Sequence, residues 1–135
     1  MKKDDCLFCK IANGDIPSKT IYEDNTFRVF LDISPATKGH ALIVPKDHYA
    51  NLYEMPDEIL EDTIILAKKI ASMMKEKLHC EGINLVQNNG EVAGQSVFHF
   101  HMHLIPRYSD DSQNILWVPT NPEDAVLEEI KNLFL

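Results

Sequence analysis

Only three of the 135 residues are cysteine (Cys6, Cys9 and Cys80), and so small and odd a number excludes a disulfide framework as the source of stability. Long hydrophobic runs are also missing, so nothing in the chain matches a membrane span. The opening Met1-Lys2-Lys3-Asp4-Asp5-Cys6 lacks the apolar core of a signal peptide. These absences predict a soluble, cytoplasmic protein with no membrane partner. Basic residues are scarce as well: 13 Lys and Arg stand against 21 Asp and Glu, for a formal net charge of −8. That balance argues against a nucleic-acid partner, because such binding needs a basic surface to displace counterions. A local pocket on an acidic protein can still hold a phosphate. No repeat, low-complexity tract or linker interrupts the chain, so its length predicts one domain over 1–135.

What the chain does contain is strong patterning. Cys6 to Ala12, closed by Asn13-Gly14, predicts a short N-terminal helix. "KTIYED" and "TFRVFLDI" predict two strands around the turn at Glu23-Asp24-Asn25, and "HALIVP" a third that Pro45 ends. From Asp57 to about His79, Ile59, Thr63, Leu66, Ile70, Met73 or Met74 and Leu78 trace one apolar stripe on a long helix. "GINLVQN" predicts a fourth strand and "QSVFHFHMHLIP" a fifth and longest one. Asn121 as N-cap, Pro122 at the first helical position and acidic first-turn residues predict a C-terminal helix over "EDAVLEEIKNLF". Strands in succession around one long helix give an α+β fold with an antiparallel five-stranded sheet.

The densest chemical signal is "VFHFHMHLIPRY", where His99, His101 and His103 alternate with Phe98, Phe100, Met102 and Leu104. On a strand this alternation puts three imidazoles on one face and apolar side chains on the other. Alternate strand residues sit about 6.5–7 Å apart, so the three span about 13 Å, too far to ligate one ion. Imidazole is instead suited to nucleophilic and acid–base work near neutral pH, and a neutral ring can attack phosphorus to form a phosphoramidate. Upstream, Gly90, Gly94, Gln95 and Ser96 form a loop whose backbone N–H groups can approach phosphate oxygens.

"HFHMHLI" resembles the alternating signature of the histidine triad superfamily, and "GQSVFHFHMH" resembles its Hint branch. The likeness extends to "CLFCKIANGDIPSKTIYEDNTFRVFLDISPATKGHALIVPKDH", so a motif-bearing core spans about 4–108 and a C-terminal extension 109–135. The resemblance implies hydrolysis or transfer at the α-phosphorus of purine nucleoside phosphoramidates, acyl-adenylates or related nucleotides. It implies His101 as nucleophile, His103 on the phosphate or leaving group, His99 as the first triad member and His40 near the phosphate. Asp32 would grip the ribose; Phe8, Ile11, Phe30 and Ile33 would wall the base pocket. Asn88, Gly94, Gln95 and Ser96 would surround the ribose and phosphate. It also implies a homodimer, with Trp117 standing where relatives carry a C-terminal Trp that reaches the partner's site, although here a helix follows it.

Cys6-x-x-Cys9 admits three readings: a redox pair, two buried thiols acting as small apolar residues, or half of a metal site. Bacterial-type members resemble this chain in pairing such cysteines with histidines at the positions of His48 and His99 around zinc. The expectation is one structural zinc per chain on Cys6, Cys9, His48 and His99, with no catalytic metal. Two other classes remain: a nucleotide-binding regulatory protein whose turnover is incidental, and a metallohydrolase using His99 and His101 as ligands. The last lacks a further ligand at a convincing spacing.

Overall fold

A computed structural model describes all 135 residues. Strands β1 (Thr20–Glu23), β2 (Phe27–Leu31), β3 (Ala41–Pro45), β4 (Gly82–Val86) and β5 (Met102–Arg107) form one sheet in the order β1-β2-β3-β5-β4. Every pairing is antiparallel. The helices are α1 (Leu7–Ala12), α2 (Asp57–Leu78) and α3 (Asp124–Leu133), with short 3-10 turns at Leu52–Glu54 and Glu91–Ala93. No helix is long and apolar enough to cross a membrane.

Strand alternation divides the core between the two faces of the sheet. Phe27, Val29, Ala41, Ile43 and Leu104 meet Leu66, Ala67, Ile70 and Met74, the buried stripe of α2. Ile59, Met73 and Leu78 pack partly against this layer, as the helical spacing of the stripe requires. On the other face Phe30, Leu42 and Val44 pack against Cys6, Phe8, Cys9 and Ala12 of the α1 segment. β3 is central and covered on both sides, which is why all five of its residues are buried. His103 neighbours Leu104 on β5, so it falls on the α1 face.

Two expected elements end differently. The fifth strand begins at Met102, not at Gln95, because its pairing with both neighbours stops there. β3 pairs with it only from Ala41↔Leu104 to Ile43↔Met102, and β4 ends at Val86↔His103. Beyond that point the Phe100 N–H donates to the Tyr49 carbonyl instead. At the C-terminus Glu123 occupies the N-cap of α3 without a side-chain bond, and Asn121 and Pro122 precede the helix. No residue of α3 is buried.

Candidate active site

The three histidines do not share one open face. With no ladder to hold the chain flat before Met102, their rings are oriented individually by backbone groups. His99 is fully buried, and its Nε2 lies 2.8 Å from the Pro45 carbonyl. A carbonyl only accepts, so Nε2 carries the proton and Nδ1 keeps a lone pair. His101 Nδ1 lies 2.7 Å from the His99 carbonyl, so by the same argument its Nε2 is the free lone pair. Burial holds His101 below the ordinary imidazole pKa, which keeps that lone pair available at neutral pH.

A second chain of bonds fixes His103. The Ala36 N–H donates to His40 Nδ1 at 2.9 Å, so His40 carries its proton on Nε2. That Nε2–H faces His103 Nδ1 at 2.9 Å, leaving Nε2–H as the remaining donor of His103. Burial first, then the neighbouring His101 and His40, push His103 down to about 4. The His101 and His103 ring centroids are 5.1 Å apart.

Both rings line a cavity of about 380 Å³ on the α1 face. Phe8, Ile11, Phe30, Asp32, Ile33 and Ser96 also line it, matching eight of the sites expected around a nucleotide once His101 and His103 are counted. Phe30 and Phe8 meet edge to face at 5.8 Å, and Phe8 stands edge-on to His101 at 4.9 Å. Ile33 is 95% exposed and forms the rim rather than the floor. Asp32 Oδ1 accepts the Ser34 N–H at 2.8 Å, closing a turn, while Oδ2 stands 3.7 Å from His40 Nε2. The carboxylate therefore makes the turn and still faces the cavity.

His40, His99, Asn88, Gly94 and Gln95 do not line this cavity. His40 stands behind His103. Gln95 is buried and spends its side chain on backbone, accepting from Gly90 N–H and donating to the Ala50 and Val97 carbonyls. It latches the glycine loop to the segment entering the triad. Gly94 takes a positive φ of 100° against the Asn88 amide, where a Cβ would come within 3.4 Å. Leu7, Ile16, Pro17, Ser18, Lys19, Leu31, Leu42 and Val97 line the cavity as well, and the sequence reading does not single them out. Their signal is weak, since "IPSK" reads as a plain turn between α1 and β1.

Cys6, Cys9, His48 and His99 converge beside this cavity, with one donor atom from each lying within 4.8 Å of the others. His99 Nδ1 is 3.3 Å from Cys6 Sγ and 3.4 Å from Cys9 Sγ, and His48 Nδ1 is 3.4 Å from Cys9 Sγ. Backbone N–H groups of Lys3 and Cys9 point at the sulfurs, Lys3 to Cys9 Sγ and Cys9 to Cys6 Sγ. Burial pushes the Cys9 thiol up, so thiolates here require a compensating cation. Two sulfurs and two imidazole nitrogens make a set that could hold a metal. Asp32, His40 and His103 also lie close together, but they suit a metal poorly. With Ala36 N–H directed at its Nδ1, His40 cannot offer a lone pair at Nε2 while neutral.

Comparison with known proteins follows the same lines. The HIT domain family model matches residues 13–110. A Bacillus subtilis relative, Protein hit, is 46% identical over 131 residues, covering 96% of this chain and 90% of its own. An adenosine 5'-monophosphoramidase of Saccharomyces cerevisiae is 44% identical over 119 residues, covering 88% of this chain and 73% of its own. Among solved structures, a Zn-bound histidine triad family protein from Mycobacterium smegmatis superposes with TM-score 0.78 at 36% identity. That alignment covers 96% of this chain and 97% of the other.

Proposed function

The chain belongs to the HIT domain family, and on that footing we propose that it hydrolyses or transfers the nucleotidyl group of purine nucleoside phosphoramidates, acyl-adenylates or related nucleotides. The observation that carries this reading is the lone pair at His101 Nε2, left free at the wall of a cavity that also offers Asp32 and Ser96. Phe8, Ile11, Phe30 and Ile33 would enclose the base, and Asp32 would accept hydrogen bonds from the ribose hydroxyls. Ser96 and His103 Nε2–H, which line the cavity, would meet the phosphate charge. The adenosine 5'-monophosphoramidase likeness supports the substrate class.

His101 Nε2 attacks the α-phosphorus in line, forming an N–P bond as the far-side bond breaks; an acyl group leaves as its carboxylate, and an amine leaves after taking a proton from solvent. The nucleotidylated ring is cationic, and its Nδ1–H remains on the His99 carbonyl, which stabilises the developing charge. Water then attacks phosphorus, forming the P–O bond as the N–P bond breaks; its proton passes to solvent, and His101 leaves neutral with its original tautomer restored. His103 contributes a hydrogen bond to the phosphate or the departing atom, and His40 holds that donor in place. Zinc on Cys6, Cys9, His48 and His99 would supply a closed structural crosslink; the four-ligand set leaves no position for substrate.

The test is mass spectrometry of protein quenched during reaction with adenosine 5'-phosphoramidate. A nucleotidyl adduct on His101 is the expected result. Tight AMP binding with neither adduct nor turnover would instead make the chain a nucleotide-binding module.

A further inference from the structure

The proposed chemistry leaves the two thiols of Cys6 and Cys9 unused, yet they sit at its edge. Both sulfurs face His99 Nδ1, at 3.3 and 3.4 Å. The two cysteines bracket the start of α1, the helix that carries Leu7, Phe8 and Ile11 into the cavity wall. Phe8, set between them in sequence, stands edge-on to His99 at 6.3 Å and to His101 at 4.9 Å. Whatever the sulfurs hold therefore decides how firmly this wall is seated against the nucleophile.

Resting on the nucleotide-site reading above, we propose that Cys6 and Cys9 are a peroxide-sensitive dithiol, whose closure to a disulfide expels the metal and loosens α1 from the nucleotide cavity. Cys6, about 9% exposed, meets the oxidant first, while Cys9 is fully buried. The Cys6 thiolate attacks one peroxide oxygen, breaking the O–O bond and giving a sulfenic acid and hydroxide. The Cys9 thiolate then displaces hydroxide from that sulfur, forming the S–S bond. Two electrons pass from the sulfurs to the peroxide, and two protons from solvent turn both hydroxides into water. His48 and His99 alone are too few to close a tetrahedral shell, so the cation leaves. Cys80 does not compete, since it packs in the α2 layer on the opposite face of the sheet.

The test uses the zinc-loaded full chain carrying Cys80→Ser, treated with hydrogen peroxide. Released zinc is read with a chromophoric chelator, the covalent state by intact mass, and AMP affinity by calorimetry. The expected result is one zinc freed per chain as the mass falls by about 2 Da. AMP affinity should fall roughly tenfold or more, and a dithiol reductant with added zinc should restore it. The further change Cys6→Ser should abolish the mass loss. Zinc retained under oxidation, cysteines that only gain oxygen, AMP affinity unchanged by the disulfide, or a chain that takes up no zinc would each overturn the proposal. A protein whose AMP binding follows its thiol state but which never turns over a phosphoramidate would refute the catalytic reading alone.

Discussion

His99 holds His101 through its main chain, not its ring: the His101 Nδ1 donates to the His99 carbonyl at 2.7 Å. The His99 ring meanwhile bonds Pro45 and faces the two thiols. Neighbouring members of one motif thus differ, with one ring spent on Pro45 and the thiols and the next left with a free lone pair at Nε2.

Replacing His101 by Gly or Ala is expected to lower kcat by about a thousandfold or more while AMP affinity changes little. In the proposed mechanism the ring supplies the bond-making atom, whereas affinity is spread over base, ribose and phosphate contacts. Single-turnover rates and calorimetry on the variant check both halves. Near-normal turnover would end the covalent-histidine mechanism. Because burial holds His101 below the ordinary imidazole value, the acid limb of kcat/KM should fall below pH 6.5.

Asp32→Ala should weaken binding of AMP by roughly tenfold and binding of 2',3'-dideoxy-AMP far less. The carboxylate also closes the Ser34 turn, so loss of stability alone would affect both ligands alike. Equal losses for the two nucleotides would remove Asp32 from ribose recognition.

Metal analysis of carefully purified protein should return one zinc per chain. Cys9→Ser should lose it and melt about 10 °C lower, since binding to the native state is folding free energy. Less than half an equivalent of zinc in the wild type, with an unchanged melting point in the variant, would leave Cys6 and Cys9 as ordinary buried thiols.

Acid should destabilise the fold in a window set by His103. Its folded value is pushed down to about 4, while an unfolded imidazole titrates near 6.5. The unfolded chain therefore binds more protons below 6.5. The stability gained by keeping the ring neutral is full above that value and is lost as pH falls toward 4. Urea midpoints at pH 7, 6 and 5 should decline, and His103→Gln should flatten the decline; an identical slope in the variant would assign it to other groups.

A homodimer is expected through α2 and β4. Ile64, Ile65 and Leu85 are exposed there and line an apolar groove with Ala71 and Ile83. Ile65→Glu should turn a dimer in sedimentation at micromolar concentration into a monomer. A wild-type monomer under those conditions would sink the idea.

The periodic parts of the chain are legible in the sequence itself. The α2 stripe and the apolar runs of β2 and β3 state their burial directly, and Asp57–Leu78 falls within a residue of expectation. The cluster of imidazoles is legible by residue type, and the division of the three rings among different partners is not. That division depends on the Ala36 N–H and the carbonyls of Pro45 and His99, and backbone groups look alike in every sequence. Gln95 misleads for a related reason: a polar side chain beside a glycine loop suggests a ligand contact, and only the fold reveals three backbone partners for it. The fifth strand comes out too long in the sequence because side-chain alternation persists past Met102, where the ladder that makes a strand has already ended.

β3 touches the triad at both ends. His40, just before its first residue, reaches His103, while the carbonyl of its last residue, Pro45, reaches His99. The strand thus works as a gauge block: its five residues, about 17 Å, set the distance between the donor end of the site and its thiol end. A slip of one residue against β5 would misplace both contacts at once and turn Leu42 and Val44 to the wrong side of the sheet. The spacing of two chemistries in this molecule is therefore kept by a segment that contributes no reactive side chain to either.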